Sequence, residues 1–171
     1  LGLIIPDKGE LVVGDKVITK ENLRSWQDRI GYVPQSVFLT EGSVVDNVAF
    51  GIERNFIDYE KVNKAIKMAH LEDWVSKLPA GLLTKIGERG VQMSGGHRQR
   101  LGIARALYND APFLFFDEAT SALDGITEKL IMKAIEDFGK DKTIVIIAHR
   151  VNTIKNCDLI YVMEQGQLVD Q

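Results

Sequence analysis

At 171 residues and 45% hydrophobic content, the chain has the size and composition of about one globular domain with a substantial core. A net charge of −3 excludes a protein held mainly by long-range attraction to nucleic acid or anionic lipid, while leaving room for a local basic patch. Cys157 is the only cysteine, which excludes an internal disulfide and a cysteine cluster for zinc and suits a reducing compartment.

The first segment, LGLIIP, is too short for a secretory signal and lacks its basic flank, so Leu1 is read as an internal cut. KGELVVGDKVI, residues 8–18, gives two short apolar pieces around Gly14-Asp15 and predicts a hairpin. IGYVP follows as a strand that stops at Pro34. From about Glu41 to Asn109 the pattern turns helical. Tyr59, Val62, Ile66 and Ala69 recur at spacings of three and four behind Asp58, a predicted N-cap, and are expected to face the core.

After Asp110 the pattern changes again. FLFF (113–116) and TIVIIAH (143–149) are continuously apolar, as expected of strands covered on both sides in a largely parallel sheet. Between them Leu130, Ile131, Ala134, Ile135 and Phe138 form a helical stripe, completing a strand, helix, strand unit. LIYVM adds a strand turned by Gln165-Gly166. No apolar run approaches the roughly 20 residues that cross a bilayer as a helix, so the segment is expected to be soluble by itself. The prediction is one α/β domain with a mostly parallel sheet: residues 1–40 and 110–171 form the core, and residues 41–109 form an inserted helical subdomain.

Three stretches carry chemistry. Asp117 and Glu118 end FLFF, at the carboxyl edge where open α/β sheets bind ligands. One carboxylate there can hold Mg²⁺ and the next can orient or deprotonate a water. An Asp-Glu pair alone is better explained as a solvated strand end or helix cap; the four apolar residues before it and Ala-Thr-Ser-Ala-Leu-Asp after it reverse that preference. His149 ends the next apolar strand and can reach the same edge if the two strands are neighbours. Finally, Ser94, Gly95 and Gly96 stand where the helix through Arg98, Leu101, Ala104 and Arg105 begins. Unpaired N–H groups and the helix dipole suit phosphate there, and glycine permits close approach. Ser-Gly-Gly by itself is better explained as an ordinary serine N-cap on a surface helix.

Together, GYVPQ (31–35), MSGGHRQR (93–100), FLFFDEATSALD (113–124) and AHR (148–150) resemble, in order and spacing, the Q-loop, signature, Walker B with D-loop, and H-loop of the ATP-binding cassette ATPases. TKIGERG (84–90) and ENLRSWQDRIGYVPQ are similar to exporter-type transporters. The resemblance runs over essentially the whole chain and implies a P-loop NTPase (RecA-like) core with a helical insertion. It implies ATP and Mg²⁺ as cofactors, with Asp117 binding Mg²⁺ through its shell and Gln35 sensing metal and water while linking the core to the membrane part. Glu118 would be the general base or water-positioning residue, and His149 would contact the γ-phosphate. Ser94, Gly95, Gly96 and His97 would form the signature that reaches ATP on the opposite subunit, with Asp124 along that boundary. The implied partners are a second nucleotide-binding domain, head to tail, and a transmembrane domain fused upstream or on another chain. The implied place is the cytoplasmic face of a cell membrane; no nucleic acid is expected. The implied reaction is phosphoryl transfer to water, dominated by positioning and charge stabilisation.

The main departure is that G-x-x-x-x-G-K-[ST], the lysine loop that cradles phosphates, occurs nowhere in the chain. The domain is therefore expected to be incomplete at its N-terminus, and these residues alone are expected to hydrolyse ATP weakly or not at all. Met93 stands where leucine is common, a small apolar change. His97 replaces the usual glutamine, substituting a side chain whose unperturbed pKa is about 6.5 for a neutral amide, and a pH dependence of the complete protein's activity through His97 is the resulting expectation. Competing readings are a soluble cassette ATPase acting on DNA or ribosomes and a nonhydrolytic regulatory module contributing only its signature helix.

Overall fold

The computed structural model describes residues 1–87 and 90–171, with Val151 and Asn152 described by their backbone alone. Gly14 and Asp15 turn the chain between β1 (Val12–Val13) and β2 (Lys16–Val17), the antiparallel hairpin expected there. Helix α1 (Leu23–Gln27) leads into β3 (Ile30–Val33), which ends before Pro34, a residue with no N–H to extend a ladder. The helical stretch contains α2 (Val44–Val48), α3 (Tyr59–Met68), α4 (Glu72–Ser76) and α5 (Gly95–Tyr108). It also contains a two-stranded pairing of β4 (Gly42–Ser43) with β5 (Lys85–Ile86), which periodicity did not reveal. Of the exporter-like TKIGERG stretch, Glu88 and Arg89 lie outside the described residues.

The second half runs β6 (Phe113–Asp117), α6 (Gly125–Phe138), β7 (Thr143–Ile147), α7 (Val151–Ile154), β8 (Val162–Glu164) and β9 (Gln167–Asp170). Strands β3, β6 and β7 form a parallel sheet in that order. The β6-α6-β7 crossover is therefore the predicted strand, helix, strand unit, and it brings the ends of β6 and β7 side by side. The strand expected over LIYVM is narrower: β8 begins only at Val162 and pairs with β9 across Gln165-Gly166, outside the parallel sheet.

Alternation splits the parallel sheet into two unlike faces. Val33, Leu114 and Phe116 point into the core on one face, where Gly31 lets β3 approach α5: a Cβ added to Gly31 would stand 2.6 Å from the Ala106 carbonyl oxygen. On the other face Trp26 meets Phe113 and Phe115 edge-on, at ring separations of 4.8 and 6.4 Å. Beyond Trp26 that face opens to solvent, with Tyr32, Val145 and Ile147 exposed by 37%, 41% and 55%. The expectation that both apolar strands are covered on both sides thus fails for β7, the edge strand of the described sheet.

A single core joins the sheet to the helices. Val44, Val48, Val62, Ile66, Leu71, Leu101, Ile103, Leu114, Ile131 and Ile135 are all buried in one cluster. Asp58 caps α3 as expected, its Oδ1 accepting from the N–H groups of Glu60 and Lys61 at 3.0 and 3.1 Å. Two large members of the predicted stripes do not join the core. Tyr59 and Leu130 sit at the margins of their apolar faces and are about half exposed, because each helix rotates a narrower arc toward the core than the three-four spacing marks.

Candidate functional site at the sheet edge

Where β6 ends, Asp117 still pairs with Ile147 of β7, and Glu118 leaves the strand with its N–H donated to the Ile147 carbonyl at 2.9 Å. Glu118 has φ 47, a left-handed conformation uncommon for a residue with a side chain. Such backbone cost concentrates where geometry is functional. Here it accompanies a convergence: Gln35 Nε2 donates to Glu118 Oε2 at 2.9 Å, and His149 Nε2 lies 3.0 Å from Glu118 Oε1. The imidazole is largely exposed above a mostly sheltered carboxylate. One carboxylate, an amide 83 residues before it in sequence and an imidazole beyond the next strand thus meet because β3, β6 and β7 are adjacent and parallel. His149 does not end the strand as expected, since β7 stops at Ile147, but the two residues beyond it carry the ring back over the edge.

Asp117 has a partner that motif reading passed over. Tyr32 Oη donates to Asp117 Oδ2 at 3.3 Å, and burial, with the Asp117 charge behind it, raises the Tyr32 pKa so that the phenol stays a donor. The signal was present: Tyr32 lies inside GYVPQ, and residues 32 and 117 fall on one face once β3 and β6 are in register.

The chain after Gln35 is held from the helical side. Arg105 of α5 donates to the carbonyls of Asn47 and Phe38 at 2.9 and 3.0 Å and to Asn47 Oδ1 at 3.2 Å, while its guanidinium lies 4.7 Å from the Phe50 ring centre. Buried Asn47 in turn accepts from the Thr40 N–H at 3.0 Å and donates to the Thr40 carbonyl at 3.1 Å. These bonds tether the segment after Gln35 to the helical part, while Gln35 itself bonds Glu118 at the sheet edge.

A second group of predicted residues lies at the start of α5. Ser94 is the N-cap, its Oγ accepting from the His97 N–H at 3.2 Å and standing 2.8 Å from His97 Nδ1. The His97 ring stacks on Trp74, centres 5.0 Å apart. Burial first, and then the charge of Arg100, lower the His97 pKa, favouring a neutral ring whose Nδ1 accepts the Ser94 hydroxyl proton. Ser94 and Gly95 are exposed, and Gly95 and Gly96 lie beside the loop after Glu118: a Cβ on Gly96 would stand 3.6 Å from the Ala122 carbonyl oxygen. Asp124 ends that loop as the N-cap of α6, accepting from Ile126 N–H, Thr127 N–H and the Thr127 hydroxyl at 3.1, 3.0 and 2.7 Å. Among the described residues no hydrogen bond or ion pair joins the Ser94 and His97 group to the Gln35, Glu118 and His149 group.

The donor set suits a magnesium nucleotide. Gln35 commits its amide nitrogen to Glu118, and its remaining oxygen and the Asp117 carboxylate are hard donors at the same edge. Mg²⁺ takes one or two such oxygens and fills its remaining positions with water and phosphate. Among the described residues no cluster of three or more His, Cys, Asp and Glu could cage a metal.

A parallel sheet whose carboxyl edge gathers an acid pair, an amide and an imidazole belongs with the α/β proteins that bind their ligand at strand ends. Comparison with known proteins gives the family: a model described as ABC transporter matches residues 1–121, and the chain belongs to that family. Among curated relatives, the ATP-dependent lipid A-core flippase of Cupriavidus metallidurans is 44% identical over 167 residues, covering 97% of this chain and 28% of the relative. The ABC-type transporter kk1G of Curvularia clavata is 41% identical over 170 residues, covering 95% of this chain and 13% of the relative. A solved structure of a bacterial Atm1-family ABC exporter with ATP bound superposes with a TM-score of 0.88 at 37% identity, covering 96% of this chain and 28% of that one. The chain therefore spans little more than a quarter of the flippase and exporter chains. No helix among the described residues is long and apolar enough to cross a membrane.

Proposed function

We propose that the chain is part of the ATP-binding domain of an ABC exporter, which in the complete, dimeric protein hydrolyses ATP to drive a substrate across a membrane. Residues 1–40 and 110–171 form its α/β core and residues 41–109 its helical signature subdomain. The observation that carries this reading is the Glu118 carboxylate held between Gln35 and His149 at a parallel-sheet edge. A carboxylate so bracketed can receive a proton from, or orient, the attacking water, while His149 can turn from Glu118 to the terminal phosphate. Bound Mg²⁺, held by Asp117 and the Gln35 amide oxygen, would supply charge neutralisation on the phosphates. The Ser94, Gly95 and Gly96 edge, with His97 and Asp124, would serve the nucleotide of a second domain arranged head to tail. Support for this division is that Ser94 and Gly95 are exposed at the start of α5. A transmembrane domain and a cytoplasmic-face location follow from the exporter reading, as does transport as the work done.

The test is ATP turnover by the full-length protein in lipid. Glu118→Gln, which keeps the shape and loses the base, is expected to lower kcat by roughly 10²- to 10⁴-fold while ATP still binds. Turnover at the wild-type rate in Glu118→Gln would exclude the proposed role of this edge.

A further inference from the structure

The residue after His149 makes contacts that its place in the AHR triplet does not suggest. Arg150 Nη1 donates to Glu128 Oε2 of α6 at 2.9 Å and, at a longer 3.4 Å, to the Leu123 carbonyl; Nη2 donates to the Ser121 carbonyl at 3.1 Å. Glu128 is 7% exposed, and its other oxygen accepts from the Thr120 and Thr153 hydroxyls at 3.0 and 2.6 Å. One guanidinium thereby ties together the segment carrying His149, the first turns of α6 and two carbonyls of loop 119–124.

That loop runs from Glu118 to the Gly95 and Gly96 edge. It starts at Glu118, whose carbonyl accepts from the Ser121 N–H at 3.0 Å. Ala122 and Leu123 lie against Gly95 and Gly96, and Asp124 closes it. Ala119, Thr120 and Leu123 are buried, but Ser121 and Ala122 between them are exposed, and among the described residues the loop's own backbone bonds are the turns Ser121 to Glu118 and Leu123 to Thr120. An Arg fork spanning two carbonyls and a carboxylate fixes such a loop in a way that a point charge does not.

Resting on the function proposed above, we propose that Arg150, braced by Glu128, is a positioning residue: it holds loop 119–124 so that the Glu118 and His149 edge and the Gly95, Gly96 and Asp124 edge keep one fixed relation. Its contacts are to Glu128 and the loop carbonyls, so it acts through the loop. Its loss is expected to slow the chemical step, which needs both edges in register, without weakening capture of ATP.

Arg150→Lys in the full-length protein keeps a cation for Glu128 but cannot span both carbonyls. It is expected to melt close to wild type, keep the wild-type KM for ATP, and lose roughly 10- to 100-fold in kcat. Arg150→Met alone strands a buried carboxylate and is expected to lower Tm. Arg150→Met combined with Glu128→Met removes both charges, and is expected to recover Tm but not kcat. Wild-type kcat in Arg150→Lys or in the double variant overturns the proposal, as does a loss expressed only in KM. Glu118→Gln, measured alongside, separates the two levels. A lost rate there with wild-type kcat in Arg150→Lys overturns the clamp alone, and a wild-type rate there overturns the site reading and the clamp with it.

Discussion

His97 shows how one substitution in a motif changes local chemistry. Its Nδ1 engages the Ser94 hydroxyl, its ring stacks on Trp74, and Arg100 lies one helical turn away with a bond of its own to the His70 carbonyl at 2.6 Å. Burial and the Arg100 charge lower its pKa in the folded state. In the unfolded chain it binds a proton at about pH 6.5, so as pH falls through that value the unfolded state takes up a proton that the folded state still resists. Stability contributed by the neutral ring is present above pH 6.5 and is lost progressively as pH falls toward the lower, folded-state pKa. His97→Gln is therefore expected to flatten the dependence of Tm on pH between about 7.5 and 5. Parallel melting curves for variant and parent across that range would remove His97 as the cause. Glu118 and Arg150 belong to the same scale but differ in kind: one meets the water in the proposed reaction, whereas the other sets the loop around it.

At the scale of elements, the decisive contact is β3 against α5. Gly31 brings the strand so close to the helix that an added Cβ meets the Ala106 carbonyl at 2.6 Å and Leu114 Cδ2 at 2.7 Å. Backbone cannot yield as a side-chain tip does. Gly31→Ala is expected to cost about 1–3 kcal/mol, read from the denaturation midpoint of the folded domain. A second consequence is expected in activity, because β3 delivers Tyr32 to Asp117 and leads into Gln35; an unchanged midpoint would mean that the strand shifts freely. The β6-α6-β7 crossover was legible from FLFF, the Ile131 and Ile135 stripe and TIVII, since continuous apolar runs and three-four spacing are local signals. The β4 and β5 pairing was not, because strands of two residues each carry no period.

For the whole molecule, the asymmetry of the parallel sheet matters most. One face is packed, while the other leaves Tyr32, Val145 and Ile147 open, and β8 and β9 carry further exposed apolar residues. Exposed apolar surface of this kind favours association in water. A polypeptide of these 171 residues is expected to bind an apolar dye and to self-associate, and Val145→Thr with Ile147→Lys is expected to reduce both; light scattering checks this. Scattering from the parent polypeptide no greater than that of a monomer would show the face to be harmless. The family relation accounts for the fold at this scale, since the solved exporter covers 96% of the chain with a TM-score of 0.88.

Motif order, helix caps and the alternation between strand and helix were all readable from the amino acids, because each depends on neighbours a few positions apart. Ser94 before two glycines and Asp58 before an apolar stripe specify helix starts without reference to the rest of the chain. The folded molecule alone decided that Gln35 and His149 converge on one carboxylate, that Tyr32 reaches Asp117, and that Arg150 grips the loop beyond Glu118. Those contacts depend on which strands become neighbours and how α5 and α6 seat against them, and such long-range pairings leave no periodic trace in the order of residues.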